Sequence, residues 1–187
     1  MQHPEQPMTP TDTPAPSAPG DGFEVLDACH RQALETLRLL DTLAARLTRS
    51  APDAQTRAMA ADVIRFFSTV ARQHHEDEER HVFPPLLANG DADLVQAVSR
   101  LQQDHHWLDV DWRELAPQLD AVATGQAWYD LDAMREGIEI FVGLSHDHIE
   151  LEESLIYPSA RVRLGMVERR EMAREMAARR HARIGAG

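Results

Sequence analysis

The stretch His74-His75-Glu76-Asp77-Glu78-Glu79-Arg80-His81-Val82-Phe83-Pro84 has an echo later in the chain: His148-Ile149-Glu150-Leu151-Glu152-Glu153-Ser154-Leu155-Ile156-Tyr157-Pro158. Aligned on the first histidine, both read His, three residues, Glu-Glu, three residues, an aromatic, Pro. Residues four apart on a helix stack on one face. His74 therefore lies over Glu78, and His148 over Glu152. An imidazole one turn from a carboxylate is how helices offer paired nitrogen and oxygen ligands to a metal inside a bundle.

The flanking pattern turns both pairs inward. A helix over about 54–87 carries Val63, Phe67, Val70, Ala71, His74, Glu78 and Val82 on one face. A helix over about 128–158 carries Leu131, Met134, Ile138, Phe141, Leu144, His148, Glu152 and Leu155. Two further stripes lack a pair but contain one histidine each. Leu26, His30, Ala33, Leu34, Leu37, Leu40, Ala44 and Leu47 run through 23–48, after Asp21 as a helix cap. Leu94, Val98, Leu101, His105, Leu108, Trp112, Leu115, Leu119 and Val122 run through about 91–123 in the threes and fours of a bundle seam. Ser50-Ala51-Pro52-Asp53, Asn89-Gly90-Asp91 and Thr124-Gly125-Gln126 break the pattern between them. Pro84-Pro85 is expected to end the second helix, and Pro117 to kink or shorten the third.

Four helices joined by short loops predict an all-α fold, an antiparallel up-and-down four-helix bundle. In that arrangement His30, early on helix 1, meets His74, late on helix 2. His105 sits some turns into helix 3, so that helix is expected to overshoot its neighbours. The bundle takes residues 23–160. Residues 1–22 form a leader too poor in aliphatic residues to offset its ordering entropy, and it reads as disordered. Residues 161–187 are an Arg-rich helix and tail, with Met166, Val167, Met172 and Met176 at helical spacing. They pack either on the bundle or on a protein partner.

Composition narrows the function. A formal charge of −12 and a pI near 5.2 exclude nucleic acid and anionic membrane surfaces as natural partners. The lone Cys29 rules out an internal disulfide and fits a reducing compartment. No apolar run approaches a membrane span and no secretory signal opens the chain, so a cytoplasmic location is expected.

Any one histidine on an apolar stripe is usually a hydrogen-bonded core residue. Four on four separate stripes, two with a Glu one turn later, point to a metal. Burying two carboxylates among imidazoles with no cation costs several kcal/mol per charge. Mixed imidazole and carboxylate donors suit iron, zinc or manganese, and two carboxylates able to bridge suit a dinuclear centre.

His30, the segment from His74 to Pro84, His105 and the segment from His148 to Pro158 together resemble the hemerythrin-like, or HHE cation-binding, domain. The resemblance covers roughly residues 23–160, in order, spacing and the trailing Phe-Pro and Tyr-Pro. It implies an up-down bundle holding two non-haem irons joined by an oxygen bridge. His30 and His74 would bind one iron, His105 and His148 the other, with Glu78 and Glu152 bridging. It also implies a role in binding or sensing dioxygen or a related small oxidant, iron or redox state. Oxidase, peroxidase or nitric-oxide chemistry is the alternative, and an iron-responsive interaction module is a second. Oxygen carriers of the family have a His-x-x-x-His pair on the third helix. Here Leu101 and Asp109 flank His105 at that distance, so Asp109, His75 or water would supply the missing ligand. Glu79 and Glu153 are expected to be solvated or to hold ligand imidazoles in place. His3, His81, His106, His146 and His181 are read as lying outside the ligand set. Trp107 or Trp112 is read as packing, or as a wall of an oxygen pocket.

Overall fold

Four aspartates set where the long helices begin. Asp21 Oδ1 accepts from the Phe23 amide at 2.9 Å and Asp53 Oδ1 from that of Thr56 at 2.7 Å. Asp91 Oδ1 accepts from Leu94 at 2.9 Å, and Asp130 Oδ1 from Asp132 and Ala133 at 3.0 and 3.1 Å. Each satisfies an amide that the first helical turn leaves without an internal partner.

The computed structural model describes residues 20–48, 51–126 and 128–184, and these are all-helical, with no strand among them. The expectation of a disordered leader therefore falls almost wholly outside the described residues. Helix α1 is Gly22–Arg46. An unbroken stretch over 54–89 comes next, made of α2 (Ala54–Arg65), the π-helical turn π1 (Phe66–Ala71), α3 (Arg72–Asp77), π2 (Glu78–Val82) and α4 (Phe83–Asn89). Beyond it lie α5 (Ala92–Ala123) and a second composite stretch, α6 (Leu131–Leu151), π3 (Glu152–Ile156) and α7 (Tyr157–Arg163). Helix α8 (Met166–Ile184) closes the series.

The prolines do not act as expected. Pro84 sits in the first turn of α4 and Pro158 in that of α7, each just after a π turn. A proline ring crowds the carbonyl four residues back and removes one donor. Here the preceding turn is widened: the Phe83 amide donates to the Glu78 carbonyl and the Tyr157 amide to the Glu152 carbonyl, five residues back. The helix passes its proline and runs on to Asn89 in one case and Arg163 in the other. This continuation also removes the mismatch expected of the third helix, because α4 extends alongside the start of α5. Pro117 likewise leaves α5 intact to Ala123. It lies on the exposed face, where water can take the carbonyl it strands.

The π turns have a second effect. Each adds a residue to the turn and rotates the helix beyond it. Leu155, on the buried stripe by simple 3.6-residue counting, is 39 % exposed, and Ile156 takes the interior place.

Helix α1 packs on α2, α2 on α5, α5 on α6 and α6 back on α1. The interior of this helical bundle holds two apolar clusters. One includes Leu37, Leu40, Phe66, Phe67, Leu108, Trp112 and Phe141. The other includes Phe23, Leu26, Val82, Phe83, Leu101, Ile156 and Tyr157. Helix α8 packs on the chain's own α1, burying Met172, Ala173 and Met176 while Met166 and Val167 stay exposed. A Cβ on Gly22 would lie 2.5 Å from Met172 Cγ, so a larger residue there would have to displace the Met172 side chain. Arg179 and Arg180 of α8 both bind the buried carboxylate of Asp77. Among the described residues, no helix is long and apolar enough to cross a membrane.

Candidate metal centre

Between the two apolar clusters the stripes carry polar residues instead. His30 of α1, His74 of α3, Glu78 of π2, His105 of α5, His148 of α6 and Glu152 of π3 are all buried there, both glutamates completely. His30 Nε2 lies 3.0 Å from His74 Nε2 and 3.1 Å from Glu152 Oε2. Glu152 Oε1 lies 3.0 Å from His148 Nε2 and 3.9 Å from His105 Nε2. Glu78 Oε2 sits between His74 Nε2, at 3.5 Å, and His105 Nε2, at 3.4 Å. Each glutamate thus spans the two sides of the cluster.

The donor atoms fall into two groups that could each hold an ion: His30, His74, Glu78 and Glu152, and His75, Glu78, His105 and His148. His75 is drawn in by stacking on His105, with centroids 4.1 Å apart and planes 13° from parallel. Asp109, the other residue considered for the place beside His105, belongs to neither group and pairs with Arg113.

Carboxylates outside the cluster fix two of the rings. His30 Nδ1–H donates to Glu153 Oε1 at 3.0 Å, and His105 Nδ1–H to Glu79 Oε1 at 3.0 Å. With the proton on Nδ1, each Nε2 lone pair faces the centre, the tautomer a metal ligand needs. Asp104 approaches His148 Nδ1 at 3.9 Å. Tyr157 stacks on His30, its hydroxyl 3.2 Å from His30 Nε2, and donates to Glu78 Oε1 at 2.7 Å.

The electrostatics are those of carboxylates and imidazoles buried together. Burial, and then the Glu152 carboxylate, pushes Glu78 up to about 7. Glu152 itself is held well below the carboxylate range: burial opposes its charge, and His148, His105 and His30 outweigh it. Burial also opposes charge on the histidines. For His148 the Glu152 carboxylate overcomes it and raises the ring to about 9. His105 is raised well above its ordinary value and His30 is raised, as hydrogen-bonded glutamates overcome the same penalty. His74 and His75 are driven well below theirs by burial and neighbouring imidazoles. Burial and the two glutamates lift Tyr157 well above the usual phenol value, so it keeps its proton.

Several inward-facing atoms find no hydrogen bond: Nε2 of His105 and His148, Oε2 of Glu78 and both oxygens of Glu152. Such atoms are rare in a buried setting. Together with two imidazole nitrogens facing each other, they are what a cation would satisfy. The residues present therefore fit bound metal.

The sequence matches the hemerythrin HHE cation-binding domain over residues 21–160. The chain belongs to this family. A cation-binding role, iron foremost, is the consequence of membership together with the His/Glu cluster. This hemerythrin-type chain is 31 % identical over 164 residues to an uncharacterized protein of Haemophilus influenzae, covering 86 % of this chain and 91 % of that one. It is 26 % identical over 129 residues to uncharacterized proteins of Mycobacterium tuberculosis and Mycobacterium bovis. That match covers 67 % of this chain and 48 % of theirs, so the hemerythrin-type chain spans about half the length of the mycobacterial relatives.

The remaining sequence candidates lie elsewhere. His81 contacts Glu175, His106, His146 and His181 are exposed, and His3 is outside the described residues. Trp112 lines the cavity beside the cluster, whereas Trp107 is 49 % exposed. Sequence reading missed Tyr157 and Asp104. The only signal for the first was a hydroxyl on one of two matched aromatics; none pointed to the second.

Proposed function

We propose that this chain is a cytoplasmic non-haem di-iron protein that binds or senses dioxygen or a related small oxidant. Its ligands sit in an antiparallel four-helix bundle over 23–160, with residues 161–187 as an appended helix and tail. His30 and His74 would hold one iron, and His75, His105 and His148 the other, with Glu78 and Glu152 available to both. The observation that carries this is the pair of fully buried glutamates, whose inward oxygens lie unsatisfied among imidazole nitrogens from four helical stretches.

Two irons bound there would supply two-electron redox chemistry toward a small oxidant. The chain's own residues do the rest. Glu153 and Glu79 keep His30 and His105 in one tautomer and one orientation. Tyr157 keeps its proton and directs it at Glu78 Oε1, leaving Oε2 for the metal side. Leu37, Phe66, Phe67 and Phe141 wall the adjoining cavity and keep water sparse beside the centre. His75 would take the place that the third helix leaves open beside His105 and His148.

Elemental analysis with an ultraviolet–visible spectrum in air tests the reading. About two irons per chain, lost in both His74→Ala and Glu152→Ala, is the expected result. A folded chain that takes up no iron after anaerobic reconstitution would overturn it.

A further inference from the structure

The cavity beside the cluster is too large for a diatomic ligand. It measures about 210 Å³ and reaches from the His74, His75 and His148 rings to Phe66, Phe67 and Trp112. One water needs only about 10–15 Å³ of such space, so a diatomic would leave most of it empty. An apolar cavity of about 150 Å³ stays dry and accepts benzene, so this one has room for about eight to ten heavy atoms. The turn π1 forms part of the wall, contributing Phe66, Phe67 and Ala71. A widened helical turn at a cavity is a recurrent mark of functional sites. Ala33 and Ala71, two of the smallest side chains on the lining, leave the space open.

We propose that this cavity binds a small neutral organic molecule, an aromatic ring with a short substituent, held by the aromatic wall beside the metal centre. Away from the histidine end the lining is mainly aliphatic and aromatic, which favours a neutral molecule over an ion. Arg72, Glu76 and Asp109 also lie on it, and Asp109 is paired with Arg113. The ring faces of Phe66, Phe67, Trp112 and Phe141 supply edge and face contacts. The inference deepens the metal reading and rests on it only for what meets the ligand at the histidine end.

The test is calorimetric titration of the full chain, before and after ferrous loading, with benzene, ethylbenzene, naphthalene, anthracene and benzoate. Saturable binding of ethylbenzene is expected, tighter than that of benzene by threefold or more, with anthracene excluded by size. Ala33→Leu and Ala71→Leu, each checked for native melting, should weaken ethylbenzene at least tenfold. The size series in the unaltered chain decides the matter if either variant misfolds. No saturable binding of any neutral probe, or benzoate binding tightest, would overturn the proposal. Iron loading without ethylbenzene binding removes this inference and leaves the metal reading. Ethylbenzene binding without iron loading supports the cavity and removes the metal reading.

Discussion

The two halves of the cluster come from matched segments, yet they are not alike. His74 and His148 match, as do Glu78 and Glu152, and Glu79 and Glu153. Beside His74 the chain has His75, whereas beside His148 it has Ile149. At the trailing aromatic, Phe83 stacks on His105 while Tyr157 stacks on His30 and reaches Glu78 with its hydroxyl. The half built on His105 and His148 gains a third imidazole; the half built on His30 and His74 gains a phenol. The repeat builds the frame, and single departures from it make the two positions chemically distinct.

The largest expected effect tests what the halves share. Glu78→Ala or Glu152→Ala should empty both positions, since each carboxylate faces imidazoles of both. His30→Ala should empty only its own, leaving about one metal per chain by elemental analysis. Equal losses from all three variants would show that the halves fill only together. His75→Ala should weaken the His105–His148 position by more than the roughly 10–100-fold that an orienting residue contributes. Ile149→His, which copies His75 into the other half, shows by its metal content whether the extra imidazole suffices. Glu79→Gln and Glu153→Gln test the symmetric feature, and each should cost about 10–100-fold in its own half.

Proton counting separates the imidazoles without mutation. In the metal-free chain His105 and His148 are held protonated at pH 7, whereas His74 and His75 are neutral. A cation must displace protons from the first pair and none from the second. Filling the His105–His148 half should release on the order of two protons at pH 7. The His148 share should fade as the buffer is raised through about 9, where that ring is already deprotonated. Titrations in buffers of differing ionisation enthalpy read the number directly.

The same division separates the features legible in the sequence from those that were not. The helical stripes, the inward His–Glu pairs and the Asp21 cap all rest on local spacing, which 3.6 residues per turn makes readable. The π turns were not. Prolines read as helix ends because a proline disrupts a regular helix; nothing in the pattern shows that a widened turn will carry the chain past. His75 lies about 100° around the helix from His74. Whether it turns in depends on where α5 sets His105, a matter of packing between helices. Tyr157 is a similar case. Its acceptor, Glu78, is 79 residues away on another stretch, and only the assembled bundle brings them together.

The smallest effect concerns that hydroxyl. Tyr157→Phe gives both halves the same aromatic and removes the hydroxyl that donates to Glu78 Oε1. The carboxylate is completely buried, so the lost bond is not replaced by water. A bond of this kind to a charged group is worth about 1.5–3 kcal/mol. In the metal-free chain the net loss should fall at the lower end, because Glu78, raised to about 7, is partly protonated at neutral pH and asks less of its donor. Urea unfolding at pH 6 and pH 8 separates the contributions. The deficit of Tyr157→Phe should grow with pH, as Glu78 ionises and the missing donor matters more. Phe83→Tyr places a phenol beside His105 with no matching demand. It should show no gain in stability at either pH, because Phe83 is fully buried in an apolar cluster, where an added hydroxyl loses its water. Equal behaviour of the two substitutions would mean that the phenol is packing alone and that the halves differ only by His75.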